Sequence, residues 1–135
     1  MTLESQVVSL SLAKKLKELG VKQDSQFWWS FEEHGATGWD VYFKNESLGP
    51  EEWFTLEKHV HISAFTVGEL GEMLPAYLTE TYRLPHGPWR VIHRADIHED
   101  GEMYLEAETE ADARAKMLIY LLENNLLPTP SMKVD

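Results

Sequence analysis

The sequence predicts an α+β fold: an antiparallel sheet of about four strands in two hairpins, with an N-terminal and a C-terminal helix packed on it. Three observations predict it. Apolar residues toward both ends of the chain recur with a helical period. Stretches between them alternate bulky and polar residues with the period of a strand. The alternating stretches come in pairs joined by short turn-forming links. Helices grouped at the ends of a run of antiparallel strands belong to the α+β class.

In the first helix, read from Ser9 to Gly20, Leu12, Leu16 and Leu19 fall at i, i+4 and i+7 with Ala13 beside them, so one stripe faces a core. Ser9 suits the N-cap. Gly20 suits the left-handed position after the last turn, which brings Val21 back against Leu16. Phe27, Trp29 and Phe31 alternate along a first strand, and Trp39, Val41 and Phe43 along a second. They form a hairpin with one aromatic face turned inward. Residues 45–57 read as a loop pinned by Trp53, Phe54 and Leu56.

His59 to Phe65 suits a short strand. Thr66 and Glu69 then have the spacing of a capping box, which opens a short helix closed by Pro75. Pro85, Gly87 and Pro88 make a break. Trp89 to Asp96 and Glu102 to Ala107 form the second hairpin, turned at Asp100 and Gly101. Trp89, Val91 and His93 share one face, as do Met103, Leu105 and Ala107, with Tyr104 on the opposite side. Thr109 caps the longest helix, Glu110 to Asn124. Ala111, Ala115, Leu118 and Leu122 form its stripe, widened by Met117, Ile119 and Leu121. Pro128 and Pro130 mark a tail, so residues 1–127 read as one domain and 128–135 as a fraying end.

Composition narrows the function. The 135 residues carry 12 Lys and Arg against 23 Asp and Glu, a formal charge of −11, and no Cys. The length suits one domain. Without Cys there are no disulfides, thiolate metal sites or cysteine nucleophiles. The first residues lack the basic start and long apolar stretch of a secretory signal. No run approaches the roughly 20 apolar residues that span a bilayer. The expectation is a soluble cytoplasmic protein without membrane contact. The two ends are slightly basic and the middle is acidic, which disfavours a phosphate backbone as partner.

Tests for specific chemistry return little. His59 and His61 would share one face of a strand, and His93 or Glu69 could supply a third ligand for a metal-assisted hydrolase. Two half-exposed sheet histidines are the plainer reading. No Gly-x-Ser-x-Gly nucleophile motif and no phosphate-binding glycine loop is present. Ser30, near His34, has no obvious orienting acid. The carboxylates are abundant but sit mostly at turns, not in a facing pair. Leu12 to Val21 resembles the opening of a helix-turn-helix, but an aromatic strand follows where the recognition helix should stand. No cofactor is expected.

Three stretches carry a resemblance: Leu12 to Gln23, Ser63 to Pro75 and Glu108 to Asn124. Together they resemble small proteins of bacteriophages, prophages and other mobile elements, with a closing segment similar to that of helix–sheet–helix phage domains. The resemblance brings no activity and no site residues. It implies the setting of an accessory protein. The resulting expectation is a non-catalytic module that binds an unidentified protein partner through Trp28, Tyr42 and Trp53. Trp28 and Tyr42 lie on the hairpin face opposite Trp29, Val41 and Phe43, where a second layer, a partner or a second copy of the chain would cover them. A third reading makes the chain an acidic DNA mimic that blocks a nuclease or repressor, which requires carboxylates in two ordered rows.

Overall fold

The computed structural model describes residues 2–31, 39–43, 61–75, 78–95, 98 and 101–127; of Phe31, Asp40, Tyr42, Phe43 and His61 only the backbone is described. The fold is α+β, with helices flanking antiparallel sheets. Three α-helices are present among these residues: α1 (Leu10–Glu18), α2 (Val67–Met73) and α3 (Glu110–Glu123). A short 3-10 turn, Leu3–Ser5, precedes α1.

The strands are β1 (Phe27–Phe31), β2 (Trp39–Phe43), β3 (His61–Ser63), β4 (Thr79–Arg83), β5 (Trp89–Arg94) and β6 (Glu102–Ala107). Among the described residues they build two three-stranded sheets, ordered β2-β1-β3 and β4-β5-β6. The expectation of about four strands in two hairpins is therefore corrected. Each hairpin gains a third antiparallel strand: β3 pairs with β1, and β4 pairs with β5. The first hairpin pairs Phe27 with Phe43, Trp29 with Val41 and Phe31 with Trp39, so the two alternating sets share one face.

Helix α3 is the centre of the core. Ala111, Ala113, Ala115, Met117, Leu118, Ile119, Leu121 and Leu122 are all buried, which is more than a single stripe. The helix packs on β4, β5 and β6 and also on α1 and α2, so two of its sides are covered. Alanines in its first turns let those neighbours come close. Phe65, Leu16, Leu70 and Val91 are among the other fully buried residues.

Local chemistry sets the helix ends. The Thr66 hydroxyl accepts from the Glu69 N–H at 3.2 Å, and Glu69 Oε1 accepts from the Thr66 N–H at 2.9 Å, the reciprocal capping box. The Thr109 hydroxyl accepts from the Asp112 N–H at 3.1 Å. Ser9 occupies the N-cap of α1, but its side chain makes no capping bond. Its backbone N–H donates instead to Asp112 Oδ1 at 2.7 Å, tying the start of α1 to the first turn of α3. Gly20 takes a φ of 89°, and the Val21 N–H donates to Leu16 O at 3.1 Å, closing α1 as its sequence requires. Asn125, with φ 57°, ends α3 in the same way. The expected tail, 128–135, lies outside the described residues, as does the loop carrying Trp53.

Candidate interaction surface

The β4-β5-β6 sheet is built from alternation. On β5, Val91 and His93 are buried, while Arg90 and Arg94 point to the other side. Register completes that outer side. Arg90 lies between Tyr82 and Glu106, Ile92 between Glu80 and Tyr104, and Arg94 beside Glu102. Cross-strand neighbours on one face are close enough to interact directly.

Arg90 organises the outer face. Its Nε donates to Glu106 Oε2 at 2.7 Å, and Nη2 pairs with the same carboxylate. Nη1 reaches the Tyr82 hydroxyl at 3.4 Å. The guanidinium carbon stands 4.0 Å from the Tyr104 ring centroid, a cation–π contact. Arginine is charged throughout the ordinary pH range, and the hydrogen bonds to Glu106, first, and to Tyr82 raise its pKa further. Arg94 donates to Glu80 at 2.8 Å and faces Glu102 at 3.5 Å. The Arg94 pairs are solvent-exposed and add little to stability, whereas the Arg90–Glu106 pair is half-buried. What they do is hold long side chains in place around Tyr104, which is 53% exposed. Ile92, on the same side, is covered down to 8%.

A second feature is a cleft of about 270 Å³ lined by Val21, Lys22, Asp24, Phe65, Glu69, Glu72 and Met73. Glu69 is fully committed there. It accepts from the Ser25 hydroxyl at 2.7 Å, from the Gln26 N–H at 3.2 Å and from the Thr66 N–H. Ser25 is 1% exposed and also accepts from the Phe27 N–H at 3.0 Å. The pair pins β1 to α2. A hydroxyl so enclosed has no approach for a substrate.

A third feature joins two histidines. His93 Nδ1 and His98 Nε2 stand 2.8 Å apart, with ring planes at 81°. Burial, first, and the neighbouring His98 lower the His93 pKa.

The residues singled out from the sequence are distributed differently. Trp28 is half-buried on β1, opposite Tyr42 and Ser63, and is not among the exposed large apolar residues. The Tyr42 side chain and all of Trp53 lie outside the described residues. Among the described residues the exposed large apolar side chains are Leu3, Leu78 and Tyr104. His59 also lies outside, and His61 is described in its backbone alone. His93 is turned into the core on the other sheet and engaged by His98. Among the described residues no three His, Asp or Glu side chains group as metal ligands, and no helix is long and apolar enough to cross a membrane. Ser30 is buried, and His34 lies outside the described residues.

Sequence reasoning placed Tyr104 opposite Met103 and Leu105 but passed over Arg90. The available signal was the pairing of alternating Arg90 and Arg94 with alternating Glu102 and Glu106 across one hairpin. No family model matches the chain, and comparison with curated proteins and with solved structures finds no match either.

Proposed function

We propose that the protein is a non-catalytic binding module, an accessory protein of a phage or other mobile element, that engages a protein partner through the outer face of the β4-β5-β6 sheet. The carrying observation is Tyr104, more than half exposed, braced by Arg90 on a sheet whose other face is packed on α3. Tyr and Arg dominate the binding energy of protein interfaces because both are large, stiffly held and amphipathic. A preformed arrangement also loses less side-chain entropy on docking. With a chain charge of −11, the fitting partner presents an apolar or aromatic centre inside a basic rim.

The other readings draw less support. DNA mimicry needs unneutralised carboxylates in rows, whereas Glu80, Glu102, Glu106, Glu110 and Glu123 are each paired with Arg or Lys. Of the His59, His61 and His93 set only His93 has a described side chain, and it is engaged by His98 on the other sheet.

The test is affinity capture from a phage-carrying bacterial host with wild-type protein, Tyr104→Ser and Lys17→Ala, the last on the exposed side of α1. The expected result is one stoichiometric protein captured by wild type and Lys17→Ala and lost with Tyr104→Ser. Capture that is equal for all three removes the proposal.

A further inference from the structure

We infer that the open edge of β6 takes up an extended segment of the partner as a fourth strand, with basic residues set against Glu102 and Glu106 and apolar residues against Met103 and Leu105. The inference rests on the reading of the outer face as the recognition surface and says how a partner reaches it.

The backbone register defines the edge. In an antiparallel ladder alternate residues turn both their N–H and their C=O to the same neighbour. The Ala95 N–H donates to Gly101 O at 3.0 Å, so the bonded steps continue through His93 with Met103 and Val91 with Leu105. On the other side of β5 the Arg94 N–H donates to Leu78 O at 2.8 Å, which gives Arg94, Ile92 and Arg90 to β4. Glu102, Tyr104 and Glu106 therefore turn their backbone groups away from β5. No strand follows β6 in its sheet. Among the described residues a single group meets this edge: Lys116 Nζ donates to Glu106 O at 2.9 Å. A row of unpaired N–H and C=O groups is a template for a further strand.

Side chains select the occupant, because an added strand sets its residues directly opposite those of β6. The outer row is Glu102, Tyr104 and Glu106. The ion pairs with Arg94 and Arg90 both use Oε2, which leaves Oε1 of each carboxylate without a bond among the described residues. Met103 and Leu105 on the inner row are only half-buried, so apolar surface remains for a neighbour to cover. The complement is a segment that alternates basic, apolar, aromatic, apolar and basic residues. A second copy of β6 does not fit. Antiparallel pairing centred on Tyr104 would set Glu102 of each copy opposite Glu106 of the other, and like charges directly opposite are destabilising. The chain charge of −11 opposes self-association in the same sense.

The test is amide hydrogen exchange of the full chain with the peptide acetyl-Val-Lys-Val-Tyr-Val-Lys-Val-amide. One control peptide has glutamate in place of lysine, and another has the same composition with both lysines adjacent at one end. With peptide at ten times its Kd, exchange of the Glu102, Tyr104 and Glu106 N–H groups should slow by about tenfold. The Thr81 N–H, on the open side of β4, should not change. Tyr104→Pro removes the central donor at an edge position, where proline is tolerated, and should abolish the slowing at Glu102 and Glu106. Glu102→Lys keeps the backbone and should weaken the peptide by about fivefold or more at low salt. No slowing at up to about 5 mM peptide, equal slowing with either control, or slowing at Thr81 instead overturns the inference. Slowing that rises with protein concentration alone identifies a second copy as the occupant and also overturns it. Failure of the peptide while capture from the host still depends on Tyr104 removes strand addition alone. Capture indifferent to Tyr104→Ser removes the recognition reading beneath it.

Discussion

The two sheets are both three-stranded and antiparallel but are finished in opposite ways. In β2-β1-β3, burial extends to both faces: Ile62 is buried on one, and Ser30 and Ser63 on the other. Its anchors are largely polar. Ser25 and Glu69 tie it to α2, and Trp29 Nε1 donates to Val8 O at 2.8 Å. The β4-β5-β6 sheet buries one face on α3 and leaves the other to water, covered by a lattice of Arg, Glu and Tyr. A one-sided sheet needs only one face for stability and leaves the other free for recognition. The contrast explains why the interaction surface is assigned to the second sheet.

The strongest test of this contrast uses two isoleucines of similar exposure. Ile62 is 4% exposed in the first sheet and Ile92 is 8% exposed on the outer face of the second. Ile62 is enclosed by the core, so Ile62→Ala should cost about 2–5 kcal/mol. Ile92 is covered by side chains that can close over a gap, so Ile92→Ala should cost about 1–2 kcal/mol. Urea denaturation measures both. Equal losses would mean that the two sheets are finished alike.

Much of this contrast was legible in the residues. Alternation of Phe27, Trp29 and Phe31 and of Trp39, Val41 and Phe43 marked the first hairpin and the shared face of its strands, which the pairing of Phe27 with Phe43 and Phe31 with Trp39 matches. The capping box of Thr66 and Glu69 and the glycine closing α1 were readable because each depends on neighbours close in sequence. Strand β4 was not. Thr79-Glu-Thr-Tyr-Arg83 puts threonines on the inward side, so its period of two shows no apolar contrast, although Thr and Tyr favour strands. Without β4 the outer face lacks Tyr82 and Glu80, and Arg90 looks like one more surface cation. The expected tight turn at Gly101 does have the positive φ required, 79°. However, β5 ends at Arg94, and the turn spans a longer link closed through His98.

The second sheet also carries a pH dependence that the first lacks among its described groups. His93 has a pKa lowered from 6.5 by burial and then by His98. Below pH 6.5 the unfolded chain binds a proton that the folded chain refuses. Its stabilising share is therefore full above that value and is lost as pH falls toward the folded pKa. The loss amounts to at most about 1.4 kcal/mol per pH unit. Between pH 7.5 and 5.5, His93→Leu should lose less stability than wild type does. Parallel losses would show that His93 titrates normally.

A smaller effect belongs to the polar anchor of the first sheet. Ser25→Ala removes a hydroxyl donor from Glu69 and the oxygen that accepts from the part-buried Phe27 N–H. The expected cost is about 1–2 kcal/mol. The loss should appear as earlier exchange of β1 amides, with α3 and the second sheet unchanged. Uniform loosening of the whole molecule would mean that the anchor is shared by both sheets.

The smallest expected change in stability is the one with the largest consequence for recognition. Tyr104→Ser removes a ring that is mostly in water, so the melting temperature should move by no more than about 2 °C. Arg90 keeps its carboxylate partner Glu106 in the variant, and the rest of the outer face stays in place. If the outer face is spared from structural duty, partner affinity should nonetheless fall by about tenfold or more. A variant that melts well below wild type would show instead that Tyr104 is needed to shield Ile92 and the strands beneath. The second sheet would then be closed on both sides like the first, and the case for a free recognition face would fail with it.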